Sequence, residues 1–150
     1  MKKLLITGGA GVLGYHLCKK LSKEYDEIVV IDIDEFNKKD FDKNVRYFKL
    51  DVRDRKGIDK LIEKENPNHI IHAAAALPLY KPAVIRAVNI GGTRNIFESA
   101  FKNNVGRVVF ISSTAVYGVP DKHPLYEYDE MVGVGAYGET KIIGERICKE

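Results

Sequence analysis

The strongest constraint on the fold is a short segment in which glycines follow a run of apolar residues. Residues 4–6 have the unbroken apolar character of a strand that is buried on both faces. Apolar residues then recur at helical spacing, which predicts a helix over about residues 11–23. Between the two, glycines can form a tight turn, bring backbone close to a ligand and let the helix pack on the strand. The glycines of this turn are Gly8, Gly9, Gly11 and Gly14.

Beyond this turn, short apolar runs alternate with segments of helical periodicity. Strands are expected at residues 28–31, 45–50, 69–72 and 108–111, and helices at residues 56–65, 83–103 and from about 136 onward. Apolar strands that alternate with helices are typical of α/β proteins with a parallel sheet. Right-handed crossovers then favour a doubly wound, Rossmann-type sheet of strand order 3-2-1-4-5 with helices on both faces. The residues of the long helix expected to face inward are Ile96, Phe97, Ala100 and Phe101.

Composition indicates one globular domain and argues against several classes of function. Of the 150 residues, 45% are hydrophobic and 30% are charged, which suffices for a core and a hydrated surface. The 24 basic and 21 acidic residues are interspersed, so no nucleic-acid partner is expected. No apolar stretch is long enough to span a membrane. Cys18 and Cys148 lack zinc and redox spacings and the histidines lack metal-ligand spacing, so we expect free thiols, no metal and a cytoplasmic protein.

An acidic residue at the end of the second predicted strand indicates which cofactor the turn would hold. The turn offers backbone N–H groups and the positive end of a helix dipole to a pyrophosphate. Asp32 lies eighteen residues after Gly14, where a carboxylate can accept hydrogen bonds from the hydroxyls of an adenosine ribose. The same carboxylate would repel the 2′-phosphate of NADP, and no arginine follows it directly. NAD is therefore the expected cofactor.

Weaker signals extend this cofactor site along the ends of the predicted strands. An acid after the third strand could reach the amino group of adenine, whereas Asp54 beside it fits equally well as a helix cap. Small residues after the fourth strand would let a dinucleotide lie close to the backbone. The residues added to the site are Val12, Leu13, Asp51, Val52, Ala73, Ala74 and Ala75.

A tyrosine and a lysine four residues apart indicate acid/base chemistry. Tyr137 and Lys141 would lie one above the other on the last predicted helix. A tyrosine is a poor base at neutral pH because its ordinary pKa is about 10, and a neighbouring ammonium favours the phenolate. Such a tyrosine can exchange a proton with a substrate hydroxyl during hydride transfer. Ser112, Ser113 and Thr114 follow the fifth strand and could orient the reacting oxygen.

Taken in chain order, these motifs resemble those of the extended short-chain dehydrogenase/reductases, in particular their NAD-dependent epimerase/dehydratase branch. The matching segments are residues 7–14, 32, 51–54, 72–75, 89–95, 112–118 and 137–141, which cover nearly the whole chain. The resemblance implies an NAD-binding Rossmann domain over residues 1–150 that oxidises a sugar hydroxyl and then returns the hydride. It implies a nucleotide sugar as the substrate and, by analogy, a homodimer.

The resemblance also implies roles for individual residues. Ser113 matches the family's catalytic serine or threonine, with Thr114 as the alternative. Tyr137 matches the acid/base, and Lys141 matches the lysine that also holds the nicotinamide ribose. Asn89 matches an asparagine that orders the loop after the fourth strand, beside the cofactor.

Three functions remain open on the sequence. The leading hypothesis is an NAD-dependent nucleotide-sugar epimerase or dehydratase. A reductase or dehydrogenase of the hydroxysteroid or flavonoid type shares the same motifs. Family members carry a C-terminal substrate-binding part, which we expect to be absent from residues 1–150, so that strand five becomes an exposed edge. A non-catalytic NAD-binding module is the third hypothesis, although a pure binder has no need of Ser113, Tyr137 and Lys141.

Overall fold

Five short strands pair in parallel into one sheet in the computed structural model, which describes residues 1–35 and 37–150. The strands are β1 (Lys3–Thr7), β2 (Glu27–Asp32), β3 (Val45–Lys49), β4 (His69–His72) and β5 (Arg107–Phe110). Their order is β3-β2-β1-β4-β5, which confirms the doubly wound order predicted from the sequence. Because the strands are parallel, Thr7, Asp32 and His72 all lie at the same, carboxyl edge of the sheet.

Helices follow β1, β3, β4 and β5. They are α1 (Val12–Leu21), α2 (Arg55–Glu65), α3 (Pro82–Arg86), α4 (Thr93–Lys102) and α5 (Gly135–Ile147), with short 3₁₀ turns at Lys38–Asp40 and Thr114–Tyr117. The helix predicted over residues 83–103 is divided, because a π-helical turn at Ala87–Gly92 separates α3 from α4. None of the described helices has both the length and the apolar character that crossing a membrane requires.

Alternate side chains of the strands pack against helices on opposite faces of the sheet. On one face, Leu4, Ile6 and Val30 are fully buried with Cys18 of α1. On the other face, a second core joins β1 and β2 to α2 and α4; its buried members include Leu5, Val29, Ile31, Ile58, Ile62 and Ile96. The prediction of helices on both faces is thereby confirmed.

The last helix lies along β5, and a glycine permits its close approach. A Cβ added at Gly144 would lie 2.5 Å from Cζ of Phe110, so only glycine lets α5 rest on this ring. Lys141, one turn earlier, places its Nζ 4.9 Å from the centroid of the same ring. The packing therefore carries the Tyr137–Lys141 pair to the end of β5.

The prediction that Phe101 faces the core is wrong. Ile96 and Ala100 are buried, but Phe101 is 90% exposed. Residues 96 and 100 share one helix face because they are four positions apart. Phe101 is rotated about 100° from Ala100 around the helix axis, which takes it away from the sheet. It borders a groove beside β5, the edge strand of the sheet.

Candidate active site

A cleft of about 450 Å³ opens at the carboxyl edge of the sheet. It is lined by most of the residues that the sequence predicted for the site: Gly8, Gly11, Val12, Leu13, Asp32, Asp51, Val52, Ala73, Ala74, Ala75, Tyr137 and Lys141. A larger depression, lined by residues 66–69, 103, 104 and 106, lies by the start of β4 and β5 and contains none of the predicted site residues. The chemistry is therefore concentrated in the smaller cleft.

Three glycines of the turn pack closely against neighbouring atoms, whereas the fourth, Gly11, does not. Gly8 has a φ of +72°, and a Cβ there would lie 2.7 Å from the Ala74 nitrogen. A Cβ at Gly9 would overlap with Val30, and one at Gly14 would overlap with the Gly8 carbonyl oxygen. A Cβ at Gly11 would meet only the Gly8 oxygen, at 3.4 Å. Gly9 and Gly14 thus serve packing, whereas Gly11 faces the cleft.

The first turn of α1 is arranged to receive an anion. The helix begins at Val12 without a side-chain cap, so its leading N–H groups lack side-chain partners. Val12 is 81% exposed, which leaves this end of the helix open to the cleft. Unpaired N–H groups and the helix dipole together suit a phosphate group. The turn therefore fits the pyrophosphate of a dinucleotide.

Asp32 is held rigidly at the end of β2. Its Oδ2 accepts a hydrogen bond from the Ala10 N–H at 2.8 Å, and its Oδ1 accepts one from the Asp34 N–H at 3.1 Å. A carboxylate has about four acceptor positions, so both oxygens retain capacity for further donors. This geometry fits a ribose that presents two free hydroxyls.

The acid after β3 is already paired. Arg53 donates from Nη2 to Oδ2 of Asp51 at 2.6 Å and from its backbone N–H to Oδ1 at 2.8 Å. These hydrogen bonds hold the pKa of Asp51 below its usual range. Asp54 accepts the Gly57 N–H at 3.0 Å and caps α2, which confirms one of its two interpretations. Asp51 alone of these two acids lines the cleft.

Tyr137 and Lys141 approach each other as the helical spacing predicts. Lys141 Nζ lies 5.8 Å from the centroid of the Tyr137 ring and donates a 2.7 Å hydrogen bond to the Ile111 carbonyl oxygen. Lys141 is buried, and burial lowers its pKa to about 8. A cation is thus fixed beside a phenol at the wall of the cleft.

The hydroxyls after β5 take different positions. Ser112 lines the cleft, and its Oγ donates to Oε1 of Glu145 at 2.5 Å. Ser113 caps the turn Thr114–Tyr117, where its Oγ accepts the Ala115 N–H at 3.2 Å. Ser113 is not among the residues that line the cleft, and its catalytic role stays a prediction.

Asn89 lies behind the cleft rather than in its lining. Its Oδ1 accepts the Ala76 N–H at 2.8 Å, and its Nδ2 donates to the Ala76 carbonyl oxygen and to Thr140 Oγ1, both at 3.1 Å. These bonds fix the segment that follows β4. The predicted contact between Asn89 and the cofactor stays a prediction.

Some cleft residues carry little signal in the sequence. They are Ile33, Asp34, Leu50, Arg53, Leu77, Tyr80, Val84, Val88 and Ile111. Arg53 belongs to the same tetrapeptide as Asp51 and could have been found there. Val84 and Val88 are ordinary apolar helix residues by sequence, and only the fold turns them toward the cleft.

Within the described residues, no group of three or more His, Cys, Asp and Glu side chains could hold a metal.

Comparison with known proteins gives the same assignment. The model of the NAD dependent epimerase/dehydratase family matches residues 4–150. UDP-glucose 4-epimerase of Rhizobium meliloti is 32% identical over 151 aligned positions, which cover 98% of this chain and 46% of that protein. UDP-glucose 4-epimerase of Bacillus subtilis is 31% identical over 98% of this chain and 47% of its own length. The chain spans about half the length of the curated relatives it matches.

Solved structures share the fold. The Bordetella bronchiseptica enzyme WbmG, in complex with NAD and UDP, has a TM-score of 0.89 at 27% identity and covers 97% of this chain with 48% of its own. The UDP-Glc/GlcNAc 4-epimerase of Campylobacter jejuni has a TM-score of 0.91 at 27% identity, over 99% of this chain and 48% of its own. With its sheet order, its glycine turn and a family match over nearly its whole length, this chain belongs to the NAD-dependent epimerase/dehydratase family.

Proposed function

We propose that this chain binds NAD in the cleft and contributes the hydride-transfer chemistry of a nucleotide-sugar epimerase or dehydratase. The observation that carries the proposal is that one cleft is lined by the glycine turn, Asp32 and the Tyr137–Lys141 pair. The relatives that are named UDP-glucose 4-epimerases, and the WbmG structure with NAD and UDP, support a nucleotide-sugar substrate.

The cofactor residues each have a defined task. The N–H groups at the start of α1 would bind the pyrophosphate, and the absence of a side chain at Gly11 would leave room for it. Asp32 would accept hydrogen bonds from the two adenosine ribose hydroxyls and repel a 2′-phosphate. Asp51, held by Arg53, would accept from the adenine amino group.

Proton transfer is assigned to Tyr137. When bound, NAD would supply the hydride acceptor for the carbon that carries the substrate hydroxyl. Tyr137 would remove the proton of that hydroxyl and return it after the hydride comes back. Lys141 Nζ, fixed by the Ile111 carbonyl, lies 5.8 Å from the centroid of the Tyr137 ring and would place a positive charge beside the reacting phenol. Ser113 Oγ accepts a hydrogen bond from the Ala115 N–H, so its own O–H would be left to donate a hydrogen bond to the reacting oxygen.

The cofactor part of the proposal is tested by calorimetric titration of this chain with NAD and, separately, with NADP. Binding of NAD with little binding of NADP supports the assignment of the glycine turn and Asp32. In Asp32→Ala the preference for NAD should relax, whereas the matched variant Asp34→Ala should keep it. Absence of binding to both dinucleotides would contradict the cofactor assignment.

The reaction is tested by incubating the chain with NAD and a panel of UDP-, TDP- and GDP-sugars, with products followed by NMR. Formation of an epimer or a keto sugar supports the proposal. Binding of NAD without turnover of any sugar in the panel would favour the non-catalytic NAD-binding module. Net oxidation of a steroid or flavonoid hydroxyl would favour the reductase or dehydrogenase alternative.

Location and assembly belong to the same proposal. We infer a cytoplasmic protein because Cys18, which is buried, and Cys148 are free thiols. A homodimer is proposed by analogy with the family. Sedimentation equilibrium of the chain tests the assembly, and a single species of monomer mass would contradict it.

A further inference from the structure

A series of buried polar residues joins the glycine turn to α5 behind the cleft. Each of them is at most 2% exposed: Thr7, His72, Asn89, Thr93 and Thr140. They come from the ends of two neighbouring strands, the π-helical turn, the start of α4 and the middle of α5. A buried polar group costs free energy unless it is hydrogen-bonded, and each of these side chains has partners.

The direction of the hydrogen bonds follows from the protons available. Thr93 Oγ1 gives its only proton to the Asn89 carbonyl oxygen at 2.6 Å, so it can only accept from His72 Nε2, which lies 3.0 Å away. Nε2 therefore carries the imidazole proton, and Nδ1 is the acceptor. Thr7 Oγ1 donates to Nδ1 at 2.7 Å and accepts the Ala74 N–H at 3.1 Å. Every hydroxyl and ring nitrogen is satisfied only in this arrangement.

The neutral state of His72 is enforced by its surroundings. Burial, together with the charge of Lys141, lowers the pKa of His72 to about 3. The Phe110 ring is close to both, with its centroid 5.9 Å from that of His72 and 4.9 Å from Lys141 Nζ. His72 therefore keeps one donor and one acceptor over the physiological pH range, and the direction of the hydrogen bonds does not change.

The hydrogen bonds continue as far as both candidate catalytic residues. Asn89 Nδ2 donates to Thr140 Oγ1, which in turn donates to the Tyr137 carbonyl oxygen at 2.9 Å. Along the backbone, the His72 carbonyl oxygen accepts the Ile111 N–H at 3.0 Å. The Ile111 carbonyl oxygen is the one that Lys141 holds. His72 thus connects residues 73–76, which form one wall of the cleft, to the helix that bears Tyr137 and Lys141.

We propose that His72 and Thr93 are positioning residues, which hold the wall at residues 73–76 at a fixed distance from α5 through the hydroxyl of Thr7 and the amide of Asn89. Neither side chain lines the cleft, so neither touches the cofactor directly. The consequence for NAD binding rests on the proposed function. The positioning role itself rests on the hydrogen-bond geometry and does not depend on the proposed function.

A pair of variants at Thr93 separates the hydrogen bonds from the shape of the side chain. Thr93→Val keeps the volume and removes the hydroxyl, whereas Thr93→Ser keeps the hydroxyl. In Thr93→Val we expect amide hydrogen exchange at Ala74 and Ala76 to rise about tenfold relative to the β2 amides. In Thr93→Ser this ratio should stay at the wild-type value. Ile62→Val, a core truncation in α2, is the control that should change all amides together.

Three results decide the matter. A uniform rise in exchange in Thr93→Val, equal to that in Ile62→Val, would overturn the proposal. The proposal would also be overturned if ¹⁵N NMR of His72 showed the Nδ1–H tautomer or a titration between about pH 5 and 8. Neither the exchange measurement nor the NMR measurement needs NAD. Where the wild type binds NAD, Thr93→Val should bind about tenfold more weakly and Thr93→Ser should bind as the wild type does. If the wild type does not bind NAD, the proposed function fails while the exchange and NMR tests still stand.

Discussion

Lys141 Nζ donates a 2.7 Å hydrogen bond to the carbonyl oxygen of Ile111 and so ties α5 to the end of β5. Lys141 is only 3% exposed, and among the residues that the structure describes no carboxylate forms an ion pair with it. A buried ammonium without a counter-charge destabilises the folded state at neutral pH. This cost falls on a residue that the proposed chemistry needs, which is common at functional sites.

Replacing Lys141 by methionine should remove that cost. The pKa of Lys141 falls from 10.5 to about 8 on folding, which corresponds to about 3 kcal/mol. Since the unfolded chain binds more protons between those two values, the free energy of unfolding of the wild type rises with pH across that window. The stability advantage of Lys141→Met should therefore be about 3 kcal/mol larger at pH 7 than at about pH 10.5. Urea unfolding at both pH values measures it.

The exposed Lys149 provides the control for this measurement. Lys149→Met changes the same charge in the segment after α5, where solvent surrounds the ammonium. Its stability relative to the wild type should not vary between the two pH values. A pH-independent difference for Lys141→Met as well would show that burial does not perturb this lysine.

Alanine at position 14 should lower stability, whereas alanine at position 11 should weaken NAD binding. A Cβ at Gly14 would overlap with Gly8 and Gly9, so Gly14→Ala should lower the free energy of unfolding by about 1–3 kcal/mol. Gly11 has a φ of −74°, and a Cβ there would touch only the Gly8 oxygen, at 3.4 Å, so Gly11→Ala should change stability by less than about 0.5 kcal/mol. Its methyl group would nevertheless occupy the side of the turn that faces the cleft. Calorimetry should show NAD affinity reduced about tenfold or more in Gly11→Ala, and wild-type affinity there would contradict the placement of the pyrophosphate.

An ion-pair cluster lies at the amino edge of the sheet, opposite the cleft. It should make the free energy of unfolding depend on pH in the acidic range. Glu65 is buried, lies 3.0 Å from Lys3 Nζ and also pairs with Arg46. Burial alone would raise the pKa of Glu65, but the hydrogen bonds from Arg46 and Lys3 outweigh it and hold the pKa below 4.5. Glu65→Gln should therefore lower the free energy of unfolding at pH 7. We expect about 2 kcal/mol, less than for a fully buried pair because the Arg46 side chain is 40% exposed.

The pH dependence gives this prediction its sign. Because the pKa of Glu65 is lower in the folded state, its contribution is present above the ordinary value of 4.5 and is lost as the pH falls through the folded-state value. The difference between the wild type and Glu65→Gln should consequently shrink in unfolding curves recorded below about pH 4. Glu63→Gln, at an exposed position of the same helix, should show no such difference.

The sheet order and most of the cleft follow from local patterns in the sequence. Apolar runs mark buried strands, and the fixed handedness of their crossovers leaves few possible strand orders. The glycine turn, Asp32 and the Tyr137–Lys141 pair each combine a residue type with a spacing that few other structures require. Their convergence on one cleft follows because parallel strands share a carboxyl edge.

Other features depend on packing between distant segments, which local patterns do not show. Helical periodicity alone does not decide whether Phe101 or Ala100 faces the sheet, since both lie near one apolar stripe. The π-helical turn contains Asn89, whose side-chain amide binds Ala76, thirteen residues away. His72 looks like an ordinary strand residue until β1 and α4 bring Thr7 and Thr93 to its two nitrogens.

The acid/base assignment depends on Tyr137, and one substitution tests it directly. Tyr137→Phe removes only the phenolic oxygen, so the helix and the Lys141–Ile111 hydrogen bond should persist. With whichever sugar nucleotide the wild type converts, turnover should fall by roughly 10²–10⁴, because a positioned acid/base contributes about that factor. NAD affinity should stay nearly unchanged, since the phenol acts on the substrate. Tyr117→Phe, in the turn after β5, is the matched control and should retain turnover. Equal turnover in the two variants would assign the proton transfer to another group, and Ser112 in the cleft wall would then be the first to substitute.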